Sequence, residues 1–582
     1  MLGLNLGLAA AVTTSRADTP PPDPAGATIT TPSALSNPGY TPLPTKPDDK
    51  ASAAEKTKYD ADMKAALTPE ALAKNQEALA ATGARNYYGI NFSWTLVAGF
   101  LVMFMQAGFA LVETGLCRAK NAAHVMSMNF LVYALGMTGF FICGFAIMCG
   151  GANKSFVGGP GAINLGRADQ LAQGFTITGG DLKDDKGEVV KDASGAVTKK
   201  DWLLLGTTGF FLSGNKYDHA MLVWFLFMMV FMDTTATIPT GALAERWSFK
   251  SFFIFSLFIG GLLYPVYGCW VWGGGWLAQL GRYAGLGHGV LDFAGSSVVH
   301  LQGGALALIT AILLGPRIGK YDENGKPKAI LGHNIPMDIL GTFILAFGWF
   351  GFNAGSTLAG TDGRSGTVAV NTMLASAGGA LASCLYMWMR FGKPDPSMMC
   401  NGMLAGLVAI TAPCAFVAPW AAFVIGVSSG VLVIWSVFFF EARGVDDPVG
   451  AISVHGVNGA FGVICIGLFA DGTYGDTLNG VSGNVFGIFY SMKLGMGQLW
   501  AQCIAVAACL SWNFIAGGVI FWVIGKVIGS NRVPPEVEIA GLDIPEMGAP
   551  GYPEYITSMT PENVPASQIS DARARIPQLA TV

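Results

Sequence analysis

Two histidines lie inside apolar segments of the chain, and each follows an aspartate by eight residues. Asp292 precedes His300 and Asp447 precedes His455, in DFAGSSVVH and DPVGAISVH. An imidazole in hydrocarbon costs free energy unless it is paired or used, so ionisable residues inside membrane segments are candidates for function. A neutral imidazole can donate one hydrogen bond, accept another and relay a proton. The two histidines therefore predict a site that handles hydrogen bonds or protons.

The spacing predicts where the two imidazoles lie. Eight helical residues advance about 12 Å at 1.5 Å each. An aspartate at a helix N-terminus suits the helix dipole and caps free N–H groups. If the two segments enter from opposite faces, each histidine lies about 12 Å deep in a hydrocarbon core of about 30 Å. We therefore expect His300 and His455 to meet near the middle of the membrane.

The composition requires a membrane as the surrounding medium. Of 582 residues, 52% are hydrophobic and 12% are charged, against roughly 25% charged in soluble domains. Uncharged runs reach the ~20 residues that cross a bilayer. The net charge of -4 gives no indication of nucleic-acid binding. The ten cysteines form no CxxC pair and no metal-like spacing, so we interpret them as small buried hydrophobes and predict no metal.

Eleven segments are predicted to span the membrane. They are approximately 91–117, 126–150, 219–243, 251–277, 293–315, 336–357, 366–390, 400–415, 418–440, 449–471 and 499–526. Basic residues fall at alternate span ends, at Arg118/Lys120, Arg246/Lys250, Arg317/Lys320, Arg390/Lys393, Arg443 and Lys526/Arg532. Because cytoplasmic ends carry an excess of Lys and Arg, we predict an outside N-terminus and an inside C-terminus.

Repeated motifs within the chain, which we call the internal echo, predict the topology. MQAG at 105–108 in the first span resembles FNAG at 352–355 in the sixth, and the Asp–His pairs fall in the fifth and tenth. Inverted repeats are common in transporters and place the substrate site near the midplane. The predicted fold is therefore an all-α polytopic membrane protein with eleven transmembrane helices, in two inverted five-helix repeats plus a final helix.

The ends of the chain differ from this transmembrane domain, which we place at 86–528. Residues 1–17 resemble a secretory signal peptide with a cleavage site near Ala17. Residues 18–85 form a polar extension, predicted to be extracytoplasmic, with one amphipathic helix at 51–82. Residues 529–582 are predicted to be a cytoplasmic C-terminal tail.

Longer motifs carry a family resemblance. They are ALVETGLCRAKN (110–121), GALAERWSF (241–249), DFAGSSVVHLQGGALALITAILLGPR (292–317), GWFGFNAGS (348–356), DDPVGAISVHG (446–456) and RVPPEVEIAGLDIPEMG (532–548). Over roughly 90–545 the chain resembles the Amt/Mep/Rh ammonium transporter family, most closely its Amt branch. The resemblance implies a homotrimer in the bacterial inner (plasma) membrane, with one ammonium-conducting pore per protomer, no cofactor and no enzymatic activity. A PII-type regulatory protein is the implied partner at the cytoplasmic face.

The resemblance also implies roles for individual residues. Those matching the family's ammonium recruitment site are Trp272, Ser356, Phe227 and Asp292. Phe231 and Phe352 match the aromatic gate, and His300 and His455 match the pore histidines. An indole face attracts a bare cation by about 0.5–2 kcal/mol. We predict that ammonium loses a proton near the gate, that ammonia passes the histidines, and that transport is electrogenic.

The chain departs from the family pattern at several positions. Met228 stands where a glutamine is expected, and Gly450 stands where a second acid is common. Asp233 follows the gate closely, and the sequence assigns it no role. Glu113 is interpreted as a buried structural acid near the cytoplasmic end of the first span.

Three other functions compete with this reading. An Rh-like neutral gas channel gains little from a cation site, so Trp272 argues against it. An ammonium sensor that signals through a separate partner would bind the ion without conducting it. A redox enzyme would use His300 and His455 as haem ligands, but cytochrome-b-like spans carry paired histidines on one helix, which this chain lacks.

Overall fold

The computed structural model describes residues 44, 46–48, 51–150, 174–183, 187–192, 195–213 and 219–553. Ten helices among these residues are long and apolar enough to cross a membrane, and an eleventh apolar helix has 16 residues. In chain order the eleven are α1 (Gly89–Leu116), α2 (Ala119–Cys149), α3 (Met221–Ala242), α4 (Phe249–Val271), α5 (Ser296–Leu314), α6 (Ile335–Thr357), α7 (Arg364–Phe391), α8 (Pro396–Thr411), α9 (Pro419–Glu441), α10 (Ile452–Phe469) and α11 (Met492–Ile528). The predicted helical membrane fold is confirmed.

Each of the eleven predicted segments overlaps one of these helices. The shortest, α8, rises only about 24 Å at 1.5 Å per residue, less than a ~30 Å hydrocarbon core. The number of helices that cross the membrane fully therefore stays a prediction, as does the orientation of the chain. Shorter helices connect or follow these spans, at Leu280–Ala284 and Pro535–Ala540.

Local sequence signals account for several helix starts. Asp395 accepts hydrogen bonds from the N–H groups of Ser397 and Met398, with Pro396 at the first helical position of α8. Asn334 caps α6 in the same way by accepting from the Met337 N–H. A short polar side chain followed by proline satisfies the free N–H groups and presets the helical φ.

Glycines let paired helices approach closely. A Cβ on Gly341 of α6 would lie 2.7 Å from the Gly108 carbonyl oxygen of α1. A Cβ on Gly348 would lie 2.1 Å from Cγ of Met105, also on α1. Helix association in membranes relies on such small residues because lipid is as apolar as the side chains. The first and sixth spans, which the internal echo related, therefore pack directly against each other.

The segment between α2 and α3 contains an antiparallel pair of strands, β1 (Gly174–Asp181) and β2 (Lys199–Gly206). The all-α prediction omitted this pair. Strand β2 contacts the end of α4 and the chain that follows it. Its Leu203 carbonyl accepts from the Trp276 N–H, and its Leu204 carbonyl accepts from the Trp270 indole, both at 2.9 Å.

The N-terminal extension is mostly helical from residue 53 onward. The predicted single helix at 51–82 is instead two helices, Ala53–Ala66 and Pro69–Leu116, and the second continues through residue 85 into α1. Ser52 and Glu55 form a reciprocal capping box at the start of the first helix. The predicted signal peptide at 1–17 lies outside the described residues.

The C-terminal tail packs against the loops at the basic ends of the spans. Glu538 pairs with Arg532 at 2.8 Å and also accepts from the Ile318 N–H. Further along, the Tyr552 hydroxyl lies 2.6 Å from Nε2 of His333, which is just before α6. Residues 554–582 lie outside the described residues. The described part of the tail thus contacts the bundle at separate loops.

Candidate functional site

The two intramembrane histidines are in direct contact. Nδ1 of His300 lies 3.1 Å from Nδ1 of His455, and the ring planes differ by 24°. Both side chains are buried. One Nδ1 must donate while the other accepts, so the tautomer of each ring determines the tautomer of the other. The structure therefore brings together the two residues that the eight-residue spacing predicted to meet.

Asp292 organises the start of the helix that carries His300. Its carboxylate accepts five hydrogen bonds, from the N–H groups of Gly295, Ser296, Ser297 and Val298 and from the Ser297 hydroxyl. Gly295 has a φ of 115°, a conformation that glycine adopts at little cost. The helix then begins with a π-helical segment, Ser296–Leu301. The aspartate thus satisfies N–H groups that would otherwise be buried without partners.

Asp447 does the same for His455. Its carboxylate accepts from the N–H groups of Val449, Gly450 and Ile452, and a π-helical segment, Ile452–Val457, follows. Gly450 has a φ of 82°. A second acid at that position, as the family pattern suggested, would have to adopt this left-handed conformation.

The two histidine-bearing helices cross at a pair of glycines. A Cβ on Gly304 of α5 would lie 2.2 Å from the backbone nitrogen of Gly456 on α10. Gly456 directly follows His455 in the chain. The backbones therefore touch beside the histidine pair, and the absence of a side chain at Gly304 sets the distance between the two imidazoles.

Aromatic rings continue from the histidines toward one end of the bundle. The Phe352 ring is stacked on His300 at 5.3 Å and on Phe231 at 4.1 Å between ring centroids. Phe231 in turn contacts Phe227 at 4.6 Å and the Trp272 indole at 6.0 Å. Phe231 and Phe352 thus lie between Trp272 and the histidine pair, where a gate is predicted.

A cavity lies beyond the two phenylalanines, and we call it the outer cavity after the predicted orientation. Trp272, Asp292 and Ser356 all line it, together with Tyr474. The Trp272 indole donates to the Asp292 carbonyl at 2.7 Å, which fixes the ring. The Ser356 hydroxyl donates to the Phe352 carbonyl at 2.7 Å, so its oxygen can accept from a ligand.

Phe227 does not line the outer cavity as the recruitment prediction implied. It is buried and packs behind Phe231. Met228 is likewise buried in the apolar core. Asp233 does not line the outer cavity either, and its Oδ1 is buried without a hydrogen-bond partner among the described residues.

A second cavity lies on the other side of the histidine pair, and we call it the inner cavity. His455, Glu113 and Asn401 line it among apolar side chains. Neither Glu113 nor Asn401 was predicted to lie at a site. The only sequence signal was a carboxylate inside an apolar span, in ALVETG.

Charged residues join the span ends near the inner cavity. Arg317 binds both carboxylate oxygens of Asp446, at 2.9 and 3.0 Å, and its guanidinium also lies 3.3 Å from Glu245. Burial raises the pKa of Asp446, but the hydrogen bonds and charge of Arg317 outweigh that effect and bring the pKa to about 2. Glu245 pairs with Arg118 as well. The network holds the loops that follow α1, α3, α5 and α9.

The helical bundle, with two cavities separated by a stacked phenylalanine pair and a histidine pair, is the architecture of a polytopic membrane transport protein. The chain belongs to the Ammonium Transporter Family, whose sequence model matches residues 93–552. It is 44% identical to ammonium transporter Amt2 of Archaeoglobus fulgidus over 474 residues, which cover 81% of this chain and 90% of that protein. It is 36% identical to ammonium transporter Amt1 of Haloferax mediterranei, with 81% of each chain covered.

Solved structures show the same fold. A protein described as a sensor Amt protein matches with a TM-score of 0.64 and 33% identity, over 80% of this chain and all of that one. Candida albicans Mep2 matches with a TM-score of 0.60 and 24% identity, over 77% of this chain and 87% of that one, and shows the fold alone.

Proposed function

We propose that this protein conducts ammonium across the membrane by separating it into ammonia and a proton at the gate. The observation that carries the proposal is an unbroken series of rings, from Trp272 through Phe231, Phe352 and His300 to His455. Successive centroids are 6.0, 4.1, 5.3 and 5.2 Å apart. The membership in the ammonium transporter family and its ammonium-transporting relatives support the same substrate.

Recruitment takes place in the outer cavity. The Trp272 ring attracts the bare cation by about 0.5–2 kcal/mol, and the Ser356 oxygen accepts one of its N–H groups. Potassium has the same charge but no hydrogen to donate, so Ser356 and the histidines favour ammonium over it. Asp292 acts indirectly, because its carboxylate is occupied by N–H and O–H donors of the chain.

Conduction follows from the cost of moving a charge through a dry constriction. Removing an ion from water costs several kcal/mol even in relaxed protein interiors, whereas neutral ammonia has no such charge to desolvate. At the gate one N–H bond of ammonium breaks, ammonia passes Phe231 and Phe352, and the imidazole pair hydrogen-bonds it on its way. We expect the proton to cross as well, which makes transport electrogenic.

The test is the current after an ammonium jump on protein reconstituted in liposomes, with potassium as the control ion. We expect a sustained, saturable current with ammonium and none with potassium. The His300→Ala/His455→Ala double variant should lose this selectivity. A transient charge displacement without sustained current, together with no ammonia flux, would contradict the proposal.

One observation favours a second function. The chain is 33% identical to a solved protein described as a sensor, and it covers the whole of that chain. A sensor would bind ammonium in the outer cavity without net flux. Binding measured by tryptophan fluorescence, with no current and no ammonia flux, would favour the sensor. Ammonia flux without current would favour a neutral gas channel.

We further propose that the protein is a homotrimer in a bacterial inner membrane and that a PII-type protein binds its cytoplasmic face. The described tail already contacts loops at that predicted face, through Glu538 and Tyr552. Native mass spectrometry of the purified protein, with and without a PII protein, tests both assignments. A monomeric mass would contradict the trimer.

A further inference from the structure

The inner cavity contains a carboxylate on the route that ammonia would take after His455. Glu113, Asn401 and His455 line the same cavity, and the remaining lining is apolar, with Phe109, Ile238, Leu404 and Val449 among it. Nδ1 of His455 is occupied by His300, so Nε2 is the ring nitrogen left for a molecule in the cavity. A molecule leaving the histidine pair therefore meets Glu113 in a small, largely apolar space.

Neighbouring side chains fix the Glu113 carboxylate by donating to it. The Asn129 amide donates to Oε2 at 2.6 Å, and the Thr240 hydroxyl lies 2.8 Å from the same oxygen and 3.0 Å from Oε1. Asn129 and Thr240 are themselves buried, and Asn129 Oδ1 accepts from Thr237. These donors favour the charged form of the acid and oppose the cost of burying that charge.

The position of Glu113 is electrostatically unfavourable without a cation. It lies in the last turn of a helix that ends at Leu116, where the helix dipole repels negative charge and favours positive charge. Among the described residues no lysine or arginine forms an ion pair with Glu113. The nearby guanidinium groups are paired elsewhere, Arg118 with Glu245 and Arg317 with Asp446. The helix end and the carboxylate therefore both favour a mobile cation.

The structure points to Glu113 as the anchor of a second, inner cation site, where ammonia regains its proton and ammonium is held before release. The ligand is a small cation with N–H donors, bound by the Glu113 carboxylate and the Asn401 amide oxygen. This inference rests on the proposed transport of ammonium. It replaces the interpretation of Glu113 as a purely structural acid.

The proton balance closes over one transport cycle. At the gate, ammonium gives one proton to Nε2 of His300 and becomes ammonia. In the inner cavity, the ammonia lone pair takes the proton from Nε2–H of His455, so one N–H bond forms as another breaks. The proton shared between the two Nδ1 atoms moves from His300 to His455. Each ring then ends in its other tautomer, so both rings must reorient before the pair can relay the next proton. The Glu113 carboxylate stabilises the positive charge that appears on the product.

The test measures ammonium half-saturation separately from each side of the membrane, in the full-length protein reconstituted in liposomes of one orientation. We expect Glu113→Gln to raise the half-saturating ammonium concentration on the side of the C-terminal tail by about 10-fold or more, because a hydrogen bond to a charged group is lost. The half-saturating concentration on the Trp272 side should change by less than about 2-fold, which corresponds to less than ~0.4 kcal/mol of binding free energy.

Two further variants separate a binding role from a structural one. Asn401→Ala should shift the same side in the same direction by a smaller factor, and it keeps the inference testable if Glu113→Gln fails to fold. Asp338→Asn is the matched control, because Asp338 is also a buried acid in a span but does not line this cavity. We expect Asp338→Asn to leave both half-saturation values unchanged.

Two results would overturn the inner cation site. Both can be distinguished from a result that contradicts the proposed transport function itself. Equal shifts on both sides, or a lowered melting temperature with unchanged half-saturation, would return Glu113 to a structural role. If the wild-type protein itself shows neither current nor ammonia flux, the proposed function fails before any variant is compared.

Discussion

The two halves of the membrane domain build their histidines in the same way but open into different cavities. In each half an aspartate caps a π-helical start and a histidine follows eight residues later, Asp292 with His300 and Asp447 with His455. The outer cavity presents an indole and a hydroxyl, whereas the inner cavity presents the Glu113 carboxylate.

The difference shows which parts of the repeat are constrained by geometry and which by chemistry. Both halves have the aspartate-capped π-helical start because both helices must place an imidazole at the same depth. Under the proposed function the cavities differ because the outer one selects a cation from solution, whereas the inner one stabilises a charge that forms inside the protein. Matched substitutions at corresponding positions of the two halves therefore test whether the halves differ in this way.

The largest effect is expected from removing the capping carboxylates. Asp292 accepts five hydrogen bonds and Asp447 accepts three. Asp292→Ala should lower the free energy of unfolding by about 3–5 kcal/mol, the cost of leaving buried partners of a charge unpaired. Asp447→Ala should cost less. The melting temperature of each detergent-solubilised variant, read by tryptophan fluorescence, checks the order, and equal losses would contradict it.

A smaller effect is expected at the helix crossing, where the two glycines are not equivalent. A Cβ on Gly304 would lie 2.2 Å from backbone, whereas a Cβ on Gly456 would lie no closer than 3.4 Å to Gly304. Gly304→Ala should therefore separate the helices, destabilise the protein by about 1–3 kcal/mol and lower ammonium current. Gly456→Ala is the matched control and should retain folding and current. Equal behaviour of the two variants would show that the crossing is not rigid.

The contact between His300 and His455 was predictable because it depends on the number of residues between each aspartate and its histidine, which is read directly from the sequence. A fixed rise per residue converts the eight-residue spacing of Asp292 and His300 into a depth. The conversion assumes a regular α-helix, so the π-helical segments were not predicted. These segments begin where one aspartate carboxylate accepts hydrogen bonds from several successive backbone N–H groups. The aromatic gate was predicted only by family resemblance, since 37 phenylalanines give no means of choosing Phe231 and Phe352.

Other features could not be predicted because they depend on distant contacts. The inner cavity forms where Glu113 of α1, Asn401 of α8 and His455 of α10 meet, and no local pattern relates these positions. The β1–β2 pair joins segments separated by 17 residues, and β1 carries exposed apolar and threonine side chains that also occur in loops. Both features required the tertiary structure.

A variant in the proposed outer cation site should show a moderate effect confined to one side. Trp272→Leu removes the indole face but keeps an apolar side chain, so the loss should be about 0.5–2 kcal/mol of cation binding. We expect a rise of about 2- to 30-fold in half-saturating ammonium on the Trp272 side, with the tail side unchanged. One-sided proteoliposome currents check this prediction. A shift on the tail side as well would mean that the two cavities are coupled, which would weaken the contrast between them.

The smallest expected effect is a difference in how acid changes the stability of the loops near the outer cavity and near the inner cavity. At the outer end, Nε2 of His288 lies 2.8 Å from the Gly483 carbonyl, in the same loop as Tyr474 of the outer cavity. Burial lowers the pKa of His288, against smaller opposing effects of Gly483 and Asp476. Folding therefore favours the neutral ring. The stability that this contributes is present above the unfolded pKa of about 6.5 and is lost as the pH falls below that value toward the lower folded pKa.

At the inner end, Asp446 loses its contribution only between about pH 4 and 2, because its pKa is lowered to about 2 in the folded protein. Between pH 7.5 and 5.5 the loop that contains His288 should therefore lose stability while the Asp446 network does not, and we expect His288 to contribute about 2–4 °C to the drop in melting temperature. His288→Gln keeps a donor for Gly483 but cannot titrate, so this variant should show a smaller drop than the wild-type protein. A drop of the same size in His288→Gln would assign the acid response to other groups and would remove this difference between the two ends.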